Sequence, residues 1–341
     1  MAERLYRVLY DGLLSRLPEA RAVALGQAFL RRLPVEAVPG LAVDDPRLAV
    51  DLAGVRLPNP VILSAMYYDL AILRKAMALG FGAVTTKTIT VTPRPGHPEP
   101  NLVRIATPAG PGFVNCNGFK NPGLEAFRAA LPALPRRRPL IVSVAGESPA
   151  EYRRLVEALA GLGDLVELNI SSPNTRLVYE VSASPARVRE LFRSVRGATD
   201  RPIVVKLSPD FPEQNRRAIV PAILETGIHA INFGNTRRVE DRRLSQGAGG
   251  LSGPALFDEV LATVRELRRT VGPGVGLIAT GGIDTPARAL AALEAGADAV
   301  SYFTAFVTRG PTLPRRIGEA LVRTLEARRL GRVGELTAGV R

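Results

Sequence analysis

The chain has little that binds metal, cross-links or stacks on bases. It contains one cysteine, Cys116, no tryptophan, and two histidines, His97 and His229. A single thiol excludes a disulfide or a cysteine-held iron-sulfur cluster within the chain and fits a reducing compartment. No spacing of His, Cys, Asp and Glu matches a metal-ligand set, so no metal is expected. Aromatic residues make up 5% of the chain and do not interleave with its basic residues, so no nucleic-acid groove is expected. No apolar run reaches membrane-spanning length, and the N-terminus lacks the apolar block and cleavage site of a signal peptide. The expected location is the cytoplasm, with room for peripheral attachment to the inner face of a membrane.

Lysine is scarce as well. Of 45 basic residues only Lys75, Lys87, Lys120 and Lys206 are lysine, as expected if lysine is kept where a compact point charge is needed. The net charge of +13 points to an anionic ligand, an anionic surface, or simply a solvated basic exterior.

What the chain does have is apolar periodicity. At 341 residues and 46% hydrophobic it can bury a large core. Eight apolar or β-branched runs recur at fairly even intervals: 61–65, 83–88, 140–145, 165–170, 203–207, 230–233, 276–279 and 299–303. Helix-like segments separate most of them, such as SPAEYRRLVEALAGLG at 148–163, where Ser148 and Glu151 have capping-box spacing. Four helix-to-strand joints repeat one phrase: ALGFGAV, AGLGDLVEL, ETGIHAIN and EAGADAV. The pattern predicts an α/β fold, a (β/α)8 TIM barrel over residues 46–341. Residues 1–45 form an N-terminal extension, with amphipathic helices expected in LYRVLYDGLLSRL and EARAVALGQAFLRRL. LAVDLAGVRL (48–57) reads as a hairpin closing the barrel's bottom. The Pro/Gly/Asn segment 92–123 is too long for an idle connection.

Residues following each barrel strand converge on one face. There stand Ser64 and Ala65 after the first run, Lys87 and Thr88 after the second, and Asn169 through Asn174 after the fourth. Lys206 follows the fifth, Asn235 and Thr236 the sixth, Gly281 and Gly282 the seventh, and Phe303 and Thr304 the eighth. Gly281, Gly282 and the backbone at Phe303 and Thr304 suit an anion, since glycine lets backbone N–H groups approach it closely. GGLSG (249–253) offers a second flexible cradle, containing Ser252 and Gly253. On its own, Ser171-Ser172-Pro173 would be an ordinary turn. Cys116 reads as packing, and both histidines as uninvolved.

Asn169-Ile170-Ser171-Ser172-Pro173-Asn174 matches the signature Asn-x-Ser-[Ser or Cys]-Pro-Asn. With NPVIL, TKTIT, PRPGHPEP, VNCNGFKNPG, VKLSPDF, GNT, GGLSGPAL and ATGGID in order, the chain from about residue 48 to 325 resembles the FMN-dependent dihydroorotate dehydrogenases. The resemblance implies oxidation of dihydroorotate to orotate in pyrimidine biosynthesis, with FMN as hydride acceptor and Ser172 as base. It implies that Asn115, Asn169, Asn174, Asn235 and Thr236 hold the pyrimidine edge. Lys206 would lie near the flavin's pyrimidine end, and Lys87 would serve the substrate carboxylate or the flavin. Ser64, Ala65, Thr88 and Asn169 would contact the ring and ribityl chain, while Ser252, Gly253, Gly281, Gly282, Phe303 and Thr304 hold the phosphate.

The chain mixes the family's two classes. Ser172 and the N-terminal helices resemble the membrane-associated quinone reducers; TKTIT, SVAGESPAE and RRLGRVGEL resemble the soluble class. Quinone and a membrane surface, met through the helices, and a second copy of the chain are therefore admitted as partners. Ser64-Ala65-Met66-Tyr67-Tyr68-Asp69 fits neither class: Met66 replaces a glycine, and Asn117 stands where many members have Met, Arg or Phe. These departures leave open a related dihydropyrimidine or another unsaturated acid as substrate. The non-enzymic alternative is a barrel that binds phosphate without redox chemistry.

Overall fold

Every one of the eight apolar runs forms a strand, and the strands close on one another. The computed structural model describes residues 2–38, 40–171 and 184–337. In chain order the strands are β1 (Val50–Leu52), β2 (Val55–Leu57), β3 (Val61–Leu63), β4 (Ala83–Thr85), β5 (Leu102–Thr107), β6 (Gly110–Asn115), β7 (Leu140–Val144), β8 (Leu165–Asn169), β9 (Ile203–Leu207), β10 (Ala230–Phe233), β11 (Arg237–Glu240), β12 (Ala248–Ser252), β13 (Gly276–Thr280) and β14 (Ala299–Tyr302). Parallel strands β3, β4, β7, β8, β9, β10, β13 and β14 make a closed eight-stranded barrel, a (β/α)8 fold. Nearly every residue of these strands is buried, because helices cover the outside while side chains fill the inside.

Among the described residues the interval segments carry helices, and Ser148 caps the one whose sequence predicts it. Ser148 accepts from the Glu151 N–H at 3.2 Å, with Pro149 opening the helix. The capping box is only half made: the Glu151 carboxylate accepts from the Glu147 N–H at 2.8 Å, one residue before the cap. Of the repeated joints, Gly80, Gly227 and Gly296 take positive φ, whereas Gly163 leaves a short 3-10 turn at φ −130°.

The hairpin β1–β2 turns through Ala53 and Gly54, both at positive φ. It buries Leu48, Leu52 and Leu57 completely, and Leu52 lies against Gly276 at the start of β13, so the hairpin closes the bottom of the barrel as expected.

Two sequence expectations change. The long segment 92–123 is not wholly irregular: it contributes β5 and β6 to an antiparallel sheet ordered β11, β12, β6, β5. GGLSG is accordingly a strand rather than a flexible cradle. Its glycines are needed for close approach, because a Cβ on Gly250 would sit 2.0 Å from the Thr236 hydroxyl and one on Gly249 would sit 2.6 Å from the Asn115 carbonyl. Glycine carries no strand propensity, so periodicity could not reveal it.

The N-terminal helices are α1 (Ala2–Gly12), which ends earlier than its apolar pattern, and α2 (Glu19–Arg32). They are tied to the site end of the barrel. The Arg104 guanidinium of β5 donates to the carbonyls of Leu14, Ser15 and Leu17 at 2.8–2.9 Å. The Tyr6 hydroxyl donates to the Val307 carbonyl at 2.5 Å. Among the described residues no helix is long and apolar enough to cross a membrane.

Candidate active site

Alternation inside the strands decides what faces the barrel interior. Glu167 and Asn169 lie two apart on β8, and Asn169, Lys206 and Asn232 are paired neighbours across β8, β9 and β10. All four are nearly inaccessible, as are Ser143 of β7 and Thr88 after β4. Buried polar groups require partners, and these largely find one another. Asn169 Nδ2 donates to Thr88 Oγ1 at 2.9 Å, Thr88 Oγ1 meets Ser143 Oγ at 3.0 Å, and Ser143 Oγ donates to Glu167 Oε1 at 2.8 Å. Asn232 Nδ2 donates to Glu167 Oε2 at 2.7 Å and accepts at Oδ1 from Thr280 Oγ1 at 2.6 Å.

Above this layer, Asn169 Oδ1 accepts from both the N–H and the hydroxyl of Ser171, at 3.2 and 2.7 Å. Asn235 Nδ2 donates to Ser171 Oγ at 2.6 Å, while its Oδ1 accepts from the Thr236 N–H at 2.8 Å. Thr236 abuts Gly250 of the second sheet, whose carbonyl accepts from Asn115 Nδ2 at 3.3 Å. Asn117 donates to Asn115 Oδ1 at 3.2 Å. Asn115, Asn169, Asn235 and Thr236 are thereby joined into one neighbourhood. Ser172 and Asn174 lie outside the described residues.

The lysines differ from these amides. The Lys87 N–H donates to the Tyr67 carbonyl at 2.8 Å, and its ammonium has Met66 Sδ at 3.9 Å. Burial, reinforced by the charge of Lys206, lowers the Lys87 pKa to about 8. Among the described residues neither lysine pairs with a carboxylate. Two buried cations without an anion make a site that is incomplete until an anionic or electron-rich group enters.

A second feature lies at the tips of β12, β13 and β14. Thr304 Oγ1 donates to Ser252 Oγ at 3.0 Å. Gly253 has φ +114°, and a Cβ there would sit 2.9 Å from Gly112 Cα. Gly281 and Gly282 have φ +117° and +72°, and Gly282 is pressed onto the backbone of Phe257, where the helix Phe257–Val271 begins. Phe303 precedes the short helix Thr304–Thr308, with its ring edge-on to Tyr67 at 5.2 Å. Backbone bared by glycine at several converging tips is a cradle for an anion. Ser64 sits beside it, its hydroxyl 2.6 Å from that of Ser301, and Ala65 is buried. The residues present fit a planar cofactor with an anionic tail: cations at one part of the face, bare backbone at another.

Sequence reasoning missed Ser143, Glu167, Asn232 and Thr280. Their signal was a polar residue inside an otherwise apolar parallel strand, as in LIVSV, LVELN and AINF. Cys116 packs with Val103, Val114 and Leu244. His229 accepts from the Ile203 N–H at the opposite end of the barrel, and His97 meets the Cys116 carbonyl. Surface cavities of about 220 Å³ beside Arg138 and about 210 Å³ beside Arg201 also lie at that opposite end, ahead of the strands.

The family profile described as dihydroorotate dehydrogenase matches residues 47–325. The chain belongs to the dihydroorotate dehydrogenase family. A protein of Thermobifida fusca named dihydroorotate dehydrogenase (quinone) is 35% identical, covering 92% of this chain and 90% of that one. One from Thermus thermophilus with the same name is 34% identical over 94% and 96%. Among solved structures, ligand-free DHODH from Eimeria tenella superposes with a TM-score of 0.81 at 25% identity, over 92% of this chain and 98% of that one. DHODH of the same organism in complex with ferulenol gives 0.84 at 25% identity, over 96% and 97%. Dihydroorotate dehydrogenases are flavin-dependent as a family.

Proposed function

We propose that this chain oxidises dihydroorotate to orotate, with FMN as its resident cofactor and a quinone as the final acceptor. The observation that carries the proposal is the pair of buried, uncompensated lysines beside a cluster of oriented amides. When bound, the flavin supplies a two-electron acceptor for the hydride that leaves the substrate. Ser172 takes the accompanying proton, and the carbon-carbon double bond forms between the two carbons so relieved. Asn115, Asn169 and Asn235 hold the ring by its polar edge, joined by Asn174 and Thr236. Lys206 places positive charge where reduction builds negative charge, and Lys87 takes the substrate carboxylate. Ser252, Gly253, Gly281, Gly282 and the backbone at Phe303 and Thr304 hold the phosphate; Ser64, Ala65 and Thr88 border the ring and ribityl chain.

The purified protein is expected to be yellow, to bleach anaerobically with dihydroorotate and to recolour with quinone; colourless protein overturns the proposal. A second reading, a related dihydropyrimidine as substrate, is favoured by Met66 Sδ lying 3.9 Å from the Lys87 ammonium, in a strand-tip position where the family has glycine. Faster bleaching by dihydrouracil than by dihydroorotate would establish it.

Orotate binding is expected to weaken with alkali. Lys87 is charged below its pKa of about 8 and neutral above it, so affinity for a carboxylate should fall by up to about tenfold per pH unit beyond that point. Spectral titrations of the flavin measure this, and Lys87→Met should abolish the pH dependence. The sign for stability is the reverse. The folded pKa is depressed, so this group costs stability below pH 8, and the cost fades as pH rises towards the unfolded value.

The N-terminal extension, residues 1–45, is proposed as the quinone entrance. It exposes Val8, Leu13, Val23, Leu25 and Phe29, an apolar surface suited to the inner face of an anionic membrane with the basic exterior around it. Deleting residues 1–34 should depress quinone turnover far more than anaerobic bleaching by dihydroorotate; equal losses would leave the extension structural. A homodimer completes the proposal and is read by sedimentation.

A further inference from the structure

We propose that Asp284 is a positioning residue: a buried carboxylate that ties the tip of β13 to the tip of β14 and so sets the spacing of the two stretches of backbone that hold the phosphate. The inference rests on the FMN reading above and adds to it a source for the preference for a phosphorylated flavin.

The need for a tie follows from where the barrel ladder stops. Strands β13 and β14 pair from Ile278 with Ala299 to Thr280 with Ser301. Gly281, Gly282, Phe303 and Thr304 all lie beyond that last rung, where strand pairing no longer fixes one tip against the other. Among the described residues, the side-chain hydrogen bonds that then cross between the tips belong to one carboxylate. Asp284 Oδ2 accepts from Arg309 Nη2 at 2.6 Å and from its Nε at 3.2 Å, and Arg309 is the residue that ends the helix Thr304–Thr308. Asp284 Oδ1 accepts at 2.7 Å from Nη1 of Arg288, in the first turn of the helix Pro286–Glu294. The same Arg288 nitrogen donates to the Gly282 carbonyl at 3.3 Å, and its guanidinium lies 5.0 Å from the centre of the Phe257 ring.

The carboxylate is deep enough for its partners to matter. The Asp284 side chain is 5% exposed, against 25% for Arg288 and 26% for Arg309. A charge so buried is stable only when paired and hydrogen-bonded, and three N–H groups supply this. Two of them come from the planar guanidinium of Arg309, which fixes the direction of the tie as well as its length.

Charge and geometry give opposite signs. Removing a negative group near a phosphate site should tighten phosphate binding by Coulomb attraction alone. Removing the group that keeps the two stretches of backbone at the right separation should loosen it. The FMN-loaded protein is challenged with riboflavin, which shares the ring and ribityl chain but lacks the phosphate, and the flavin retained after gel filtration is identified. Asp284→Asn keeps the shape of the side chain and is expected to narrow the preference for FMN over riboflavin by about tenfold, the worth of one hydrogen bond to a charged group. Arg309→Met cuts the same tie from its other end and should act alike. The double variant should do no more than either single one, since the tie can be lost only once.

An unchanged preference overturns the role of Asp284, and so does equal weakening of both flavins, which is what a general loss of stability gives. A widened preference assigns Asp284 an effect of charge and overturns the positioning role as well. In each of these cases yellow wild-type protein leaves the functional reading standing; colourless wild-type protein overturns that reading and this inference with it. Should Asp284→Asn fail to fold, Arg309→Met decides, because it leaves the pair of Asp284 with Arg288 intact. Its exchange is repeated at about 1 M salt, where attraction between exposed charges is screened: a loss that persists supports the tie, and one that disappears overturns it.

Discussion

Gly282→Val should give folded protein that purifies without flavin. Gly282 lies at φ +72°, and a Cβ there would come within 2.5 Å of the N and Cα atoms of Phe257. Those atoms begin a helix of 15 residues whose buried face, including Val260, Val264 and Leu267, is locked into the barrel wall. Backbone cannot step aside as a flexible side-chain tip can, so the turn itself must move, and with it the N–H groups proposed to hold the phosphate. The left-handed backbone adds roughly 1 kcal/mol of strain for any residue with a Cβ. Gly281→Ala is the informative comparison. Gly281 is also left-handed, but its nearest obstacles are the side chains of Val260 and Leu256, at 3.3 and 3.8 Å. It should lower FMN affinity without abolishing it. The ratio of flavin absorbance to protein, together with thermal melts with and without added FMN, reads both; full flavin occupancy in Gly282→Val would remove the phosphate cradle from the proposal.

The second large effect is on chemistry alone. Ser172→Ala should keep FMN and bind orotate, yet be reduced by dihydroorotate slower by about 10²- to 10⁴-fold, the usual contribution of a positioned base. The choice of Ser172 over its neighbour has a structural reason. Ser171 is fully buried, its proton is committed to Asn169, and its oxygen already accepts from Asn235. A hydroxyl so saturated is a scaffold and has no freedom to collect a proton. Ser171→Ala should therefore raise the dissociation constant for orotate, whereas Ser172→Ala should chiefly lower the anaerobic reduction rate. Stopped-flow bleaching separates the two, and an undiminished rate in Ser172→Ala would assign the base elsewhere. Ser172→Cys, the family's other choice, should recover part of the rate.

How far these outcomes were legible beforehand varies by element. The barrel was readable because a strand buried on both faces needs a continuous apolar run, and a chain that alternates eight such runs with capped helices has few other ways to cover them. The converging tips followed from the same geometry, which is how Lys87, Lys206, Asn235 and Gly282 were found before any of their contacts were known. The second sheet was not readable. β12 is AGGLS, which has neither alternation nor branching, and its pairing with β6 joins residues more than a hundred positions apart. The half-made capping box at Ser148 is a smaller instance: spacing brought the right residues close, but the local path of Glu147 decided which N–H the carboxylate would take.

The linear order of residues was by itself enough to determine the strands, the face on which their ends gather and the family to which the chain belongs, because each depends on local periodicity or on motifs of a few consecutive positions. Only the closed barrel decided that Ser143, Glu167, Asn232 and Thr280 would meet, and that burial beside Lys206 would lower the Lys87 pKa to about 8. Those properties arise where strands distant in sequence come into register, since burial removes water as a partner and leaves each polar group to be satisfied, or charged, by whatever side chain the neighbouring strand presents.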